Sequence, residues 1–199
     1  LAEIKGISKG KCEEIAAEAR KLFSLRNIMD YLSQYDIRSQ YAMKTYRQFG
    51  EEAMNLIKLN PYLLCSDYIE LDFRKADSIA KDLRIEQNDS KRVIAGVQYI
   101  LKANTTQGHS CLPLEVLQKK ASEVLRITES DFYASYNIAL ENNELFEYFK
   151  RNREYVYLPD YFCAESFITD RIQLLRDFTS PDDFNFDTLI DIEEEENEI

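Results

Sequence analysis

The feature that most limits the fold of this chain is a series of short apolar runs at helical spacing, separated by turns. Two clear runs lie before Gly50 and after residue 90: Tyr41, Ala42, Thr45, Tyr46 and Phe49, and then Val93, Ile94, Val97, Ile100 and Leu101. Glycine commonly follows the last turn of a helix, so Gly50 marks a helix stop. A chain built from such runs is predicted to be mainly α-helical.

The same spacing predicts the remaining helices. The N-terminal part predicts one helix on Ile15, Leu22 and Phe23 and a separate helix over 27–34. Further helices are predicted over 51–58, 73–83, 114–125, 129–141 and about 160–177. The last helix is expected to direct five side chains inward: Ala164, Phe167, Ile168, Ile172 and Leu175.

Short β segments accompany the later helices. The stretch 108–112 predicts one small strand, and 145–150 and 154–158 predict a β-hairpin around the polar turn 151–153. From residue 90 the order is therefore helix, strand, helix, helix, hairpin. That order is typical of a winged helix-turn-helix.

Charge is divided unevenly along the chain. Residues 1–120 contain 19 Lys or Arg and 16 Asp or Glu, whereas residues 121–199 contain 6 and 20. The first part can approach nucleic acid, and the second repels it unless its few cations share one surface. The acidic end after Pro181 is interpreted as a solvated linker.

Several classes of protein and site are excluded. No apolar run reaches the roughly 18 residues of a membrane span, and no signal peptide opens the chain. The cysteines, Cys12, Cys65, Cys111 and Cys163, are too widely spaced for a metal site and are expected to be reduced thiols in a cytoplasmic protein. His109, the single histidine, is interpreted as structural. No catalytic, cofactor or metal site is predicted.

The N-terminal segment holds the strongest candidate for phosphate binding. Glycines permit backbone N–H groups to face outward before a helix, and lysines supply positive charge. The predicted DNA phosphate site comprises Gly6, Ile7, Ser8, Lys9, Gly10 and Lys11. An ordinary loop that happens to hold lysines is the alternative. The segment is not a nucleotide-binding P-loop, because only three residues separate the glycines and Cys12 follows the last lysine.

Two weaker candidates lie further along. The turn before Phe73 carries Glu70 and Asp72, which repel phosphate, so it is interpreted as a helix-connecting turn from which Arg74 and Lys75 can still reach a DNA backbone. The tip of the later hairpin carries the cations Lys150, Arg151 and Arg153. That tip is either a phosphate contact or a solvated turn. Five tyrosines can stack on bases but are interpreted mainly as packing residues: Tyr133, Tyr136, Tyr148, Tyr155 and Tyr157.

An ordered set of motifs resembles a known family. The segment from Leu1 to Ile15, with Gly6-Ile7-Ser8, resembles the second half of a helix-hairpin-helix motif. Tyr35-Asp36-Ile37-Arg38-Ser39, Asn60-Pro61-Tyr62-Leu63-Leu64, Phe73-Arg74-Lys75-Ala76-Asp77 and Gly108-His109-Ser110-Cys111-Leu112-Pro113 resemble the helix-hairpin-helix region of RecD/TraA-type DNA helicases. The chain departs from that family at Glu70-Leu71-Asp72, where the family usually has Gly-Ile-Gly.

The resemblance implies a domain organisation and a function. It implies half of a helix-hairpin-helix over 1–26, a degenerate tandem helix-hairpin-helix over 27–88, a winged-helix-like unit over 89–178 and an acidic linker over 179–199. It also implies a non-catalytic accessory region of an ATP-dependent helicase that moves 5′ to 3′, with ATP and Mg²⁺ bound by motor domains outside this sequence. Expected partners are single-stranded or forked DNA, those motor domains, and a replication or repair protein; the alternative is a protein-interaction or structural module.

Overall fold

The computed structural model describes residues 9–178, and these residues are mainly α-helical, as predicted. The α-helices are α1 (Lys9–Ser33), α2 (Ser39–Phe49), α3 (Ala53–Leu59), α4 (Phe73–Asp82), α5 (Ser90–Thr105), α6 (Leu114–Leu125), α7 (Glu129–Glu141) and α8 (Pro159–Phe178). Two 3-10 helices, Gly50–Glu52 and Pro61–Cys65, lie on either side of α3. The strands are β1 (Cys111–Pro113), β2 (Phe146–Lys150) and β3 (Arg153–Tyr157).

Local chemistry explains where these helices begin and end. Gly50 ends α2 at a φ of 60° and donates its N–H to the Tyr46 carbonyl, as expected of a helix stop. Asn60 accepts a hydrogen bond from the Tyr62 N–H at 3.1 Å, with Pro61 in the first helical position. Thr128 and Asp131 form a reciprocal capping box at the start of α7.

The three strands form one antiparallel sheet in the order β1-β3-β2. β2 and β3 are joined by the two-residue turn Arg151–Asn152, and both turn residues have positive φ, at 49° and 65°. With α5, α6 and α7, this sheet gives the predicted order of helix, strand, helix, helix and hairpin. Arg153 is the first residue of β3, although the sequence placed it in the turn.

The prediction of two separate N-terminal helices is wrong. α1 is continuous from Lys9 to Ser33, because no glycine or proline interrupts residues 11–33. Its C-terminal part enters the core through the fully buried Ile28 and Leu32. Ile15, Leu22 and Phe23 define an apolar face that is exposed, with Phe23 67% accessible.

The prediction for the last helix is also wrong in its packing. α8 forms over the expected residues, but the five side chains expected to point inward are all exposed: Ala164, Phe167, Ile168, Ile172 and Leu175. Its start is held by Phe162, whose ring stacks on Phe146 with centroids 4.8 Å apart. Val124 of α6 is exposed as well.

One continuous core joins the elements from α1 to β3. α5 lies at its centre and packs on α4, α6, α7 and β1. Gly96 permits α5 to approach α6 closely, because a Cβ atom at residue 96 would overlap the methyl groups of Leu125 on α6. The core therefore fixes the positions of the turns that carry the candidate site.

Among residues 9–178, none of the helices has the length and apolar character needed to cross a membrane.

Candidate nucleic-acid interface

The first hairpin of the interface, hairpin A, comprises residues 34–38 between α1 and α2. The N–H of Ile37 donates to the Leu32 carbonyl at 3.2 Å, which closes the end of α1. Ile37 is buried, and Asp36 before it takes a positive φ of 54°. That backbone conformation favours glycine, so an aspartate occupies a glycine-type position in hairpin A.

The second hairpin, hairpin B, comprises residues 66–72 before α4. The Ser66 carbonyl accepts the N–H groups of Ile69 and Glu70 at 3.1 and 2.7 Å, and the Leu71 N–H donates to Leu64 at 2.9 Å. Glu70 has a φ of 62°, and the next residue, Leu71, is buried. Hairpin B thus repeats hairpin A: an acidic residue with positive φ precedes a buried aliphatic residue.

Asp72 has a different role from Glu70. Its φ is −60°, and its carboxylate accepts the Arg74 N–H at 2.9 Å as the N-cap of α4. Aspartate is favoured at that position because it satisfies an N–H that the helix leaves without a partner. Only Glu70, and not Asp72, therefore occupies backbone geometry in which a glycine would be preferred.

Each hairpin acid contacts a lysine from the helix that follows the other hairpin. Lys44 of α2 donates to the Glu70 carboxylate at 2.9 Å and to the Ile69 carbonyl at 3.3 Å. Lys75 of α4 donates to the Asp36 carbonyl and lies 3.9 Å from the Asp36 carboxylate. These reciprocal contacts place the hairpins side by side and offset the negative charge of both acids.

The cations near the hairpins have unequal access to solvent. Lys75, which the sequence offered for DNA contact, is half-buried in its contact with Asp36. Arg74 is exposed in the first turn of α4, and Arg38 is exposed at the N-cap of α2. The two arginines each flank a helix N-terminus, where backbone N–H groups also favour anions.

A buried ionic network links the segments on either side of hairpin B. The Asp77 carboxylate accepts hydrogen bonds from Arg92 Nε at 2.7 Å and from the Tyr62 hydroxyl at 2.9 Å. Arg92 also donates to the carbonyls of Gln87 and Leu125 at 2.8 and 3.1 Å. Burial raises the pKa of the Asp77 carboxyl, but the hydrogen bonds from Arg92 and Tyr62 outweigh it and lower the pKa below its ordinary value. The network ties α4, α5 and the end of α6 together.

Half of the predicted N-terminal phosphate site lies outside the described residues. Gly6, Ile7 and Ser8 fall outside them, whereas Lys9, Gly10 and Lys11 belong to the first turn of α1. The sequence placed Lys9, Gly10 and Lys11 before the helix, whereas α1 already begins at Lys9. Phosphate binding at this helix N-terminus stays a prediction.

The cations at the tip of the β2–β3 hairpin are all exposed. Lys150 and Arg153 face each other across the strands, and Arg151 occupies the turn. In contrast, α7 bears the acids Glu129, Asp131 and Glu141 and no lysine or arginine, which disfavours reading of bases by that helix. His109 is exposed just before β1 and is not part of the core.

The tyrosines divide into packing residues and accessible ones. Tyr136 is buried, stacks on Phe132 and donates to the Glu147 carboxylate at 3.0 Å. Burial, followed by the bond to Glu147, raises its pKa above the ordinary value. Tyr157 is also buried. Tyr148 is 49% exposed, and Tyr133 is 36% exposed.

An acidic cleft of about 800 Å³ separates hairpin B from the start of α8. Its acids are Asp67, Glu70, Asp72, Glu144 and Asp160, and its one lysine among the lining residues, Lys102, pairs with Asp67. Cys65 lines the cleft, and burial raises the pKa of its thiol to about 12, so it is a poor nucleophile. The acidic side chains of this cleft disfavour phosphate. Elsewhere among residues 9–178, no cluster of metal-binding side chains is found either.

Sequence reasoning missed Asp36, Arg38 and Lys44. A signal was present: Asp36-Ile37 and Glu70-Leu71 are both acid–aliphatic pairs, and each lies three residues before a helix start. The sequence did not indicate the lysine partner of each acid, because residues such as Lys44 and Glu70 are far apart along the chain.

Residues 21–111 match a family model described as the ATP-dependent RecD2 DNA helicase HHH domain, where HHH denotes helix-hairpin-helix. The match begins within α1 and ends at the first residue of β1. It therefore includes hairpins A and B, the buried Asp77–Arg92 pair and all of α5. The β2–β3 hairpin and α8 lie outside it.

Proposed function

We propose that this chain is a non-catalytic accessory region of an ATP-dependent 5′-to-3′ DNA helicase, because residues 21–111 match the helix-hairpin-helix domain model of the RecD2 DNA helicase. It contacts DNA phosphates without regard to sequence and positions the strand for the motor. The observation that carries this proposal is the pairing of hairpins A and B. Their acids are offset by Lys75 and Lys44, so that Arg38 and Arg74 face solvent beside two helix N-termini.

The N-terminal lysines extend the proposed contact. Lys9 and Lys11 lie in the first turn of α1, and Gly6, Ile7, Ser8 and Gly10 supply backbone N–H groups. The hairpin-tip cations Lys150, Arg151 and Arg153 form a second, smaller contact. Few phosphates are engaged, so the affinity is weak and depends on salt.

The chemistry of strand movement belongs to the motor domains. ATP and Mg²⁺ bind there, and this chain supplies no catalytic residue. The proposed setting is the cytoplasm, where a reducing environment suits the free thiols of Cys12, Cys65, Cys111 and Cys163.

Fluorescence anisotropy with single-stranded and forked DNA at low salt tests the DNA contact. The combined change Lys9→Glu and Lys11→Glu is expected to weaken binding at least about tenfold, because two phosphate contacts become repulsive. Lys119→Glu with Lys120→Glu makes the same charge change on the exposed side of α6 and is the matched control. Absence of binding at high micromolar protein, or equal loss in both variants, contradicts the proposal.

A second candidate function is a protein-interaction module. The exposed apolar face of α8, with Phe167, Ile168 and Ile172, favours it, because an exposed apolar stripe is typical of an interface. The occupant would be the motor domains or a replication or repair protein.

Cross-linking within the full-length helicase separates the two functions. Contacts from α8 to the motor domains that are lost in Phe167→Asp, with DNA binding by this region unchanged, support a docking role. Robust DNA binding without any cross-link to α8 counts against it.

A further inference from the structure

One face of the β2–β3 hairpin carries a ladder of three cross-strand pairs. The register pairs Phe146 with Tyr157, Tyr148 with Tyr155, and Lys150 with Arg153. Alternate side chains on a strand point to opposite faces, and directly paired residues share a face. The aromatic ladder, defined by these six residues, therefore runs from two aromatic pairs at the base to a pair of cations at the tip.

The rungs of the aromatic ladder differ in exposure. The first rung is covered by α8, since Phe162 stacks on Phe146 at 4.8 Å and meets Tyr157 edge-on at 5.7 Å. The second rung is open, with Tyr148 49% exposed and Tyr155 half-buried. Directly paired side chains have Cβ atoms about 5 Å apart, so the two tyrosines form a continuous aromatic surface.

A cleft of about 650 Å³ lies between the aromatic ladder and α8. This volume is within the roughly 300–1,000 Å³ of typical small-molecule sites. The α8 wall supplies hydroxyl and carboxylate acceptors from Ser166, Thr169, Glu165 and Asp170. Glu165 is held at the floor by a hydrogen bond from the Ser110 hydroxyl. The cleft thus has aromatic rings on one wall, acceptors on the other and cations at its rim.

This distribution matches the chemistry of an unpaired nucleotide. A base offers a flat π surface for Tyr148 and Tyr155, and its ring N–H or amino groups can donate to Thr169 or Asp170. The phosphates stay outside, near Lys150, Arg151 and Arg153, away from the α8 carboxylates. A duplex fits poorly, because its bases are already stacked and paired.

We propose that the second rung of the aromatic ladder binds unpaired bases of single-stranded DNA, with the hairpin-tip cations holding the adjacent phosphates. The proposal rests on the proposed function, since it takes DNA as the ligand of this chain. It assigns base contact to a part of the chain that lies outside residues 21–111.

The test compares Tyr148→Ala with Phe149→Ala in the whole chain. Phe149 is the next residue of β2, points to the opposite face and is 63% exposed, so it is a matched control. Anisotropy is measured with a thymidine oligomer, a blunt duplex of the same length and an RNA oligomer. Tyr148→Ala is expected to weaken binding of the DNA oligomer at least about fivefold, whereas Phe149→Ala and Tyr148→Phe change it less than about twofold.

Photocross-linking gives a second readout that does not depend on a variant. A DNA oligomer containing 5-iododeoxyuridine is expected to form adducts on Tyr148 or Tyr155 of the wild-type chain. Equal affinity of Tyr148→Ala and Phe149→Ala, adducts only at other residues, or a preference for RNA or duplex overturns the inference. If the chain still binds single-stranded DNA in those cases, the proposed function stands; if the wild-type chain binds no DNA, both fail.

Discussion

At the residue scale, Asp77 of α4 and Arg92 of α5 form a buried ion pair between the two helices that follow hairpin B. Both side chains are buried, and each makes at least two hydrogen bonds. A buried ion pair adds little to folding stability when it is compared with apolar residues of similar size. Removal of one partner, however, leaves a buried charge without its counter-ion. The packing of α4, the helix that begins at the end of hairpin B, therefore depends on both partners.

Asp77→Ala is predicted to destabilise the chain by about 3–5 kcal/mol, because the Arg92 guanidinium would remain buried without its carboxylate. Urea unfolding at neutral pH measures this loss. Ser78→Ala, an exposed change on the same helix, is the control and is expected to cost less than about 0.5 kcal/mol. Similar midpoints for the two variants would contradict the assigned role.

The same carboxylate predicts a pH dependence. Its pKa is lower in the folded state than the ordinary value near 3.8, so the folded chain holds fewer protons there than the unfolded chain. The stabilisation is fully present above that ordinary value and is lost as pH falls below it through the folded pKa. Asp77→Asn is expected to lose part of the acid sensitivity below about pH 4, and an unchanged acid profile would oppose this account.

Glu70 combines a backbone effect with a charge effect. Its positive φ is unfavourable for a side chain with a Cβ, and its carboxylate pairs with Lys44 in a partly exposed ion pair. Glu70→Gly is predicted to be more stable than Glu70→Gln by about 1 kcal/mol, because only the glycine relieves the backbone conformation. Thermal or urea unfolding of the two variants measures the difference.

Both Glu70 variants remove the same charge, so their DNA affinities isolate the electrostatic effect. Each is expected to bind DNA more tightly than the wild-type chain by about twofold to tenfold, as Lys44 becomes available to phosphate. If neither variant gains affinity, hairpin B does not face the DNA.

At the element scale, α1 has two parts with different packing. Ile28 and Leu32 are fully buried, whereas Leu22 and Phe23 are 60% and 67% exposed. Leu32→Ala is predicted to cost about 2–5 kcal/mol, and Leu22→Ala less than about 0.5 kcal/mol, because only the first leaves a cavity. Both variants replace leucine with alanine in α1, and urea unfolding measures the stability that each one loses. Equal losses would show that the N-terminal part of α1 also packs.

Sequence patterns predicted elements well where one side of a helix is fully buried. For α6 and α7 the apolar spacing and the turn residues agree, so their bounds match the predicted 114–125 and 129–141. The same patterns misplaced Phe167 and Ile172, because periodicity identifies an apolar face but not what covers it. Lys44 and Glu70 were not predicted as partners, since a contact between residues so distant in sequence depends on how α2 packs beside hairpin B.

At the scale of the whole molecule, the core is continuous while the charge is divided. Buried residues form one cluster from Ile28 to Leu158, yet the cations that can meet phosphate lie at separate places: the start of α1, hairpins A and B, and the tip of the β2–β3 hairpin. Acidic surfaces on α7 and in the cleft beside hairpin B lie between them. DNA is therefore expected to touch discrete points rather than a continuous groove.

The salt dependence of single-stranded DNA binding tests the central claim most directly. The affinity is predicted to fall on a log–log plot with a slope of about −0.7 for each phosphate contact. Arg38→Glu with Arg74→Glu is predicted to make that slope shallower by about 1–2, while Lys119→Glu with Lys120→Glu leaves it unchanged. Binding that does not respond to salt, or a slope that the arginine pair does not alter, would contradict a phosphate contact at hairpins A and B.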